Sequence, residues 1–440
     1  MFNLAPNPKN RLYTNLNSYL LFLSAFFGRK SQQDRREIEL FEKVLRERFN
    51  TKYAVCVYQC RVGIYLAVKA LIKPGQEVVL SPYTIIDVIN MVIFAGGRPV
   101  FADVEHQTCN ISASEVERLI TPNTGAVLIT HLHGLAAEAH RIKEICDLHN
   151  IPMIEDAAQS FGVKEQGKPV GTIGDVGVFS FEMHKNIPTW LGGLVVSDRQ
   201  DIIEKICAEL KEFSNPPLPG IAQKVKKGLI QDLASLPVIF QLFTYPIVRF
   251  SYFNSIEFIN SKVRRKPQTS KLAKELPDVY KSQYTSFQAQ LGLSQLNYVD
   301  RDIKTRIEYA NIYHEGLKDI EGLVLPPLRS DGSHTYLWFP ILCPNREDLV
   351  RFMMEKGRHI GAGHFTSATT SEELAEFYRD CPNAEKVAQE VVYLPTYPSY
   401  SRREVEKNVE VIRQYFTSKM PTQQELSASP KELSYESAKP

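Results

Sequence analysis

Val176-Gly177-Val178-Phe179-Ser180-Phe181-Glu182-Met183-His184-Lys185-Asn186 reads as a buried strand that stops beside a hydroxyl and an amine. A second such ending lies upstream. There the apolar run from Ile151 to Ile154 stops in Glu155-Asp156-Ala157-Ala158-Gln159, which puts Asp156 29 residues before Lys185. In open α/β sheets ligands bind at the carboxyl ends of strands, so the two segments together predict one site. Taken alone, an Asp at a strand end is more often a helix cap or turn residue, and a single Lys is usually solvated. The pair, in this order and spacing, carries the information.

A carboxylate and an amine so placed suit pyridoxal phosphate (PLP). Its pyridine ring withdraws electrons only while the ring nitrogen is protonated, and a buried carboxylate keeps it so. At an effective dielectric near 20, such a pair about 4 Å apart interacts by roughly 4 kcal/mol. Asp156 is the candidate for that role. Lys185 is the candidate nucleophile, since an amine desolvated beside cations loses its proton and can form an imine with an aldehyde. Ser180 can offer its hydroxyl to the phosphate, and Gln159 can brace the ring's phenolic oxygen.

At these residues the chain resembles the DegT/StrS family of PLP-dependent sugar aminotransferases. The resemblance runs through Pro74-Gly75 and the strand Glu77 to Leu80, Gly97 to Val104, His131-Leu132-His133-Gly134, Glu155 to Gly162, Phe179-Ser180-Phe181 and Lys185-Asn186. It resumes at Gln288 to Leu293 and at Leu394 to Pro398. It implies the fold type I architecture: a large α/β domain with a mostly parallel sheet flanked by helices, and a smaller C-terminal α/β domain. It also implies that Lys185 carries the imine, Asp156 pairs with the pyridine nitrogen, Gln159 contacts the ring and Ser180 the phosphate. Those roles agree with the reading of the residues themselves.

The chain departs from the family in four places. Where the family has Ser-Gly-Thr before its first long helix, this sequence has Gln59-Cys60-Arg61. Arg61 can supply a charge-assisted bond to the phosphate, or block the pocket by its bulk. Cys60 can line the site or serve as a small apolar filler. The aromatic that stacks on the ring aligns with Ile85, with Tyr83 as a possible replacement. Trp190-Leu191 stands where a Gly-Glu pair precedes the double glycine, and the Asn that arrives from a neighbouring subunit aligns with Lys281. Together these changes predict an altered substrate or weaker cofactor binding. By position in the family the substrate side draws on His334, Tyr336, His364 and Phe365, each of which alone reads as structural. His184, next to Lys185, reads as a supporting or surface residue.

With 440 residues, 43% hydrophobic and 23% charged, the chain has the composition of a two-domain soluble enzyme. Its net charge of +2 gives no electrostatic reason to expect nucleic acid. Seven cysteines without metal-ligand spacing suggest reduced thiols, a cytoplasmic location and no metal site.

Residues 1–31 form an N-terminal segment whose apolar run, Ser18 to Phe27, is too short to span a bilayer and does not read as a secretory signal. Spacing predicts an amphipathic helix within 32–49, its apolar residues including Ile38, Leu40, Phe41, Val44 and Leu45. The large domain is expected over 32–285, the small one over 286–416, with strand candidates at Tyr336 to Leu342 and a closing helix at Val405 to Phe416. A disordered tail is expected over 417–440. An insertion at about 211–280 is centred on the apolar run Leu233 to Val248, flanked by Lys224, Lys226 and Lys227 and by Lys262, Arg264, Arg265 and Lys266. Two readings fit it: burial inside the protein or at a subunit interface, or peripheral contact of 224–266 with the inner face of an anionic membrane.

The expected function is transfer of an amino group from a donor such as glutamate to a nucleotide- or lipid-linked keto sugar, by a homodimer. The alternatives are a PLP-dependent sugar dehydratase assisted by His184 or His133, and a non-catalytic binding protein on the same fold.

Overall fold

A computed structural model of the chain describes residues 7–12, 16–27, 35–214, 218–263, 275–329, 331 and 333–419. Seven strands form the main sheet: β1 (Tyr53–Val57), β2 (Glu77–Leu80), β3 (Arg98–Phe101), β4 (Thr124–Thr130), β5 (Met153–Asp156), β6 (Val176–Ser180) and β7 (Gly193–Ser197). Their order is β1-β7-β6-β5-β4-β2-β3. Pairs from β3 across to β6 are parallel, and β7 runs antiparallel to both its neighbours. Every residue of β4, β5, β6 and β7 is buried, which is why these strands read as continuous apolar runs rather than alternating ones.

Helices cover both faces. They are α1 (Leu16–Phe27), α2 (Arg36–Phe49), α3 (Cys60–Leu71), α4 (Ile86–Phe94), α5 (Ala113–Leu119), α6 (Ala139–Leu148) and α7 (Gln200–Lys211). Along β6, Val178 packs into the core of α3, α4 and α7, while Phe179 points to the opposite core of α2, α5 and α6. Helix α2 buries Ile38, Phe41, Leu45 and Phe49, each worth about 1.5–3 kcal/mol. Leu40, expected on the same face, is exposed, because it lies between Phe41 and the polar side of the helix.

After α7 the chain builds α8 (Leu218–Ala234), α9 (Pro237–Phe253, with a π-helical stretch at Phe240–Thr244) and α10 (Glu257–Val263). Helices α8 and α9 meet at 69°. The break lies at Leu236-Pro237: Leu236 is held extended (ψ 133), as a residue before proline prefers, and Pro237 has no N–H to continue α8. Among the described residues no single helix is long and apolar enough to cross a membrane, although the bent pair is, by length and composition. Arg264, Arg265, Lys266 and the side chain of Lys262 lie outside the described residues.

Helix α11 (Ser286–Leu317) opens with a capping box, in which Gln288 N donates to Thr285 Oγ1 (3.4 Å) and Thr285 N to Gln288 Oε1 (3.1 Å). It packs on α2 at one end and the C-terminal helix at the other. Beyond it β8 (Phe339–Leu342), β9 (Gly361–Ala362) and β10 (Val391–Leu394) form an antiparallel sheet in the order β8-β10-β9. It packs with α12 (Arg346–Glu355), α13 (Pro382–Glu390) and α14 (Arg402–Lys419). The strand expected from Tyr336 begins only at Phe339, since Tyr336 adopts φ 47, outside the extended region. The closing helix runs through Lys419, so the expected tail begins later than Thr417, and 420–440 lie outside the described residues.

Candidate active site

Register brings the predicted residues to one edge of the sheet. Thr130, Asp156 and Val178 are neighbours across β4, β5 and β6, and Val57, Gly193 and Ser180 across β1, β7 and β6. The carboxyl ends of β1, β4, β5 and β6 therefore converge, and the N-terminus of α3 starts three residues beyond β1. A Cβ on Gly193 would stand 2.7 Å from the Cys60 nitrogen, so only glycine lets the helix end sit this close to the sheet. Val62 and Gly63 donate back to the Gln59 carbonyl (3.1 and 3.2 Å). The N–H groups of Cys60 and Arg61 precede the first intrahelical bonds of α3, the arrangement that favours an anion.

Lys185 sits in a pinned loop. Phe181 N donates to Gly192 O (2.9 Å), Thr189 N to Phe181 O (2.8 Å), and Lys185 N to Glu182 O (2.9 Å). Gln288 of α11 donates to Leu191 O (2.5 Å), and Tyr284 OH to Thr189 Oγ1 (3.1 Å). The Lys185 cation lies near enough to act on Asp156, His133 and Cys60 alike.

Asp156 is buried, and burial pushes its carboxyl above the usual carboxylate range against the pull of the Ala158 N–H (3.0 Å) and Lys185. Its neighbour Glu155 has another task. The Glu155 carboxylate is fully buried, takes N–H donors from Gly171, Ile173 and Gly174 (2.5–2.7 Å), and bonds His131 Nε2 (3.0 Å). His131 Nδ1 accepts from Ala137 N (3.0 Å), so Nε2 carries the proton given to Glu155. Of the two carboxylates only Asp156 is left for a ligand's cation.

Gln159 is buried and its side-chain oxygen accepts from His133 N (3.1 Å). His133, an accessory group by its sequence position, has both ring nitrogens buried without a partner. Its backbone is left-handed (φ 61) and its ring is wholly buried. Burial, with help from Lys185, pushes its imidazole down to about 3, so it is neutral in physiological conditions. Tyr83, Phe365 and Tyr393 surround it at ring-centroid distances of 6.4, 5.8 and 5.2 Å. The only sequence signal was the second His of His131-Leu132-His133-Gly134. Gly134 (φ 81) follows, and a Cβ there would collide with the Tyr336 and Leu337 nitrogens; its carbonyl accepts from Thr335 N (2.8 Å), tying this loop to the segment that leads into β8.

Ser180 is buried, and its Oγ accepts from Glu182 N (3.4 Å). Cys60 Sγ lies 4.0 Å from Asp156 Oδ1, and burial followed by that carboxylate pushes the thiol up. Arg61 is held by the Asp87 carboxylate and by Tyr280 OH (3.2 Å), so its charge is answered within the chain. Tyr83 is fully buried, with its hydroxyl on that of Tyr393 (2.9 Å), and Ile85 is exposed at the start of α4. Lys281 stands on the surface beside Asp278 (2.9 Å).

On the substrate side, His364 and Phe365 join the aromatic group around His133; His364 lies 4.5 Å from Phe365 and 6.2 Å from Tyr393. His334 and Tyr336 instead both turn to the Pro327 carbonyl (3.2 and 2.9 Å). Burial pushes the His334 imidazole down to about 4. His184 is bracketed by Asn10 and Gln231, each 3.3 Å away, which links the N-terminal segment, the Lys185 loop and α8.

Trp190 explains one departure. Its backbone is left-handed (φ 70), a conformation glycine adopts freely, and the resemblance places a glycine there. Here the indole is buried with Met183, Phe22, Ile221 and Val225 and packs on Tyr19 at 5.2 Å. Helices α1 and α8 supply the contacts that hold a bulky residue in that conformation.

The sequence profile of the DegT/DnrJ/EryC1/StrS aminotransferase family matches residues 28–225 and 255–413. The chain belongs to this family. An uncharacterized protein of Methanocaldococcus jannaschii, MJ1066, is 31% identical over 380 residues, covering 83% of this chain and 86% of its own. The GDP-perosamine synthase of Escherichia coli O157:H7 is 28% identical over 390 residues, 87% of this chain and 91% of the synthase. Among solved structures, the E. coli GDP-4-keto-6-deoxy-D-mannose-3-dehydratase with bound hydrated PLP superposes with a TM-score of 0.72 at 17% identity, over 93% of this chain and all of that one, a likeness of fold.

The residues present fit PLP. A buried carboxylate whose neighbour is already satisfied, an amine on a braced loop, a helix N-terminus beside a hydroxyl, and a buried imidazole with both nitrogens unpartnered match a pyridine nitrogen, an aldehyde, a phosphate and a ring face.

Proposed function

We propose that this family member is a PLP-dependent aminotransferase that moves an amino group from a donor such as glutamate to a keto sugar carried on a nucleotide or lipid. The convergence of Asp156 and Lys185 at the carboxyl ends of β5 and β6 carries the reading. When bound, PLP supplies an aldehyde to carry the nitrogen and a ring that withdraws electrons.

Asp156 holds the proton of the ring nitrogen, its low-dielectric setting strengthening that pair. Ser180 Oγ and the α3 N-terminus hold the phosphate. Lys185 Nζ anchors the group and then, as a free amine, moves a proton to and from the substrate carbon that bears the nitrogen. The exchange balances: the donor leaves as a keto acid and the acceptor becomes an amine, with no other oxidant. Neutral His133 and its aromatic neighbours line the site near Lys185. The supporting relative is named for perosamine synthesis, and sugar specificity here rests on that family likeness.

We also infer a homodimer. Ile85 and Val279 are exposed apolar residues at the margin where Arg61 meets Tyr280, a surface that a second subunit would cover.

Adding glutamate to the PLP-loaded protein tests the reaction. Loss of the visible absorbance, and its return with a nucleotide-linked keto sugar, is expected. An unchanged spectrum with intact cofactor would refute amination and favour elimination.

A further inference from the structure

More than half of the exposed large apolar side chains among the described residues fall between positions 229 and 258. Much of that stretch, 226–254, is what the family profile passes over. Ile230 and Leu233 of α8 and Leu242, Phe243, Ile247 and Phe250 of α9 are 48–63% exposed. An apolar surface of this extent marks a binding face. Helix α1 extends it with Leu20 and Leu23, and is joined to α8 by the bond from Tyr19 OH to Asp232 (2.5 Å).

Charge identifies the occupant. From Phe213 to Phe258 the sequence holds the cations Lys224, Lys226, Lys227 and Arg249, of which Lys224 lies 3.8 Å from Glu182, and two carboxylates, Asp232, engaged by Tyr19, and Glu257 at the start of α10. Lys226 and Lys227 are exposed one turn before Ile230. A second copy laid on this face by two-fold symmetry would set the same cations of α8 and α9 against each other, with Asp232 already engaged. Anionic lipid headgroups answer both the apolar residues and the cations. The 69° bend at Leu236-Pro237 keeps α8 and α9 from forming one straight span and suits helices lying in a membrane surface.

We propose that the exposed face of α8 and α9, with α1 beside it, docks on an anionic lipid bilayer. The face is firmly tied to the catalytic loop, through Trp190 against α8 and through Gln231 on His184, the residue before Lys185. Docking would hold that loop at a fixed distance from the lipid. Lipid docking is separate from the reaction proposed above, and vesicle binding reports it without any turnover.

The test is sedimentation of the full-length PLP-loaded protein with vesicles of phosphatidylcholine alone and of phosphatidylcholine mixed with phosphatidylglycerol. The expected result is binding at least about tenfold stronger to the anionic vesicles, weakened by added salt. Combining Phe243→Glu, Ile247→Glu and Phe250→Glu should lower it about tenfold or more, with circular dichroism and cofactor absorbance unchanged. Lys226→Glu with Lys227→Glu should remove the preference for anionic lipid. Absence of binding, or equal binding to both kinds of vesicle, would overturn the proposal. So would a parent that ignores vesicles but whose molar mass in solution falls with the triple substitution, which would mark the face as a contact between copies.

Discussion

The indole of Trp190 occupies the space into which a Cβ on Gly228 would project. A loop that departs from the family pattern and a helix that runs past the end of the matched stretch at 225 have thus been fitted to each other.

Gly228→Ala should therefore destabilise the docking of α8 on the catalytic loop. Overpacking a filled site costs about 1–3 kcal/mol. Urea unfolding should show that loss, and Trp190 emission should shift to the red, Trp338 being the only other tryptophan. A variant as stable as the parent, with unshifted emission, would show that the helix is not seated there.

The paired hydroxyls of Tyr83 and Tyr393 lie 2.9 Å apart and are buried. Tyr83→Phe leaves the Tyr393 hydroxyl unpaired, and should cost about 1–3 kcal/mol. Adding Tyr393→Phe should cost less than the two single losses summed, as a double-mutant cycle would reveal. Strict additivity would deny the contact.

Asp156→Asn keeps the shape of the site and removes its negative charge. The rate of amino transfer should fall roughly 10²- to 10³-fold, the scale at which a preorganised electrostatic group contributes. Cofactor attachment at Lys185 should persist, so the loss appears in kcat rather than in labelling. Parent-like kcat would remove Asp156 from the chemistry.

Glu42 on α2 accepts from Cys56 N (2.7 Å), and burial pushes its carboxyl up to about 7. Folded protein then keeps a proton that the unfolded chain releases above about 4.5, so this group's contribution to stability falls as pH rises from 4.5 to 7. His133, pushed down to about 3, acts in the opposite sense, its contribution being lost as pH falls from 6.5 toward 3. Comparing Glu42→Gln with the parent isolates the first effect. The parent should lose Tm relative to the variant between pH 4.5 and 7, and parallel profiles would contradict the assignment.

Much of the sheet and its edge could be read in the chain because it depends on local pattern. Buried strands show as apolar runs, and Asp156, Ser180 and Lys185 stand where those runs stop. Tertiary partners leave no such trace. Nothing in Glu155-Asp156 says that the first carboxylate is spent on the 171–174 loop while the second is spared. Nothing near Lys185 announces that His184 is held by Asn10 and Gln231, residues 174 and 47 positions away. Leu40 matched the helical spacing but stands in solvent, since the stripe was narrower than its composition suggested. The insertion could be seen as apolar, but whether its side chains were buried depended on packing. The structure divides them: Phe240, Tyr245 and Val248 are buried against Met354, while Leu233, Leu242, Phe243 and Ile247 are exposed within the chain.

Attachment of the cofactor to Lys185 can be weighed. Holoprotein is reduced with borohydride, digested, and its peptides weighed. The pyridoxyl mass should appear on the peptide containing Lys185 and vanish in Lys185→Ala. A label on another lysine, or none on a protein that had been given PLP, would contradict the account.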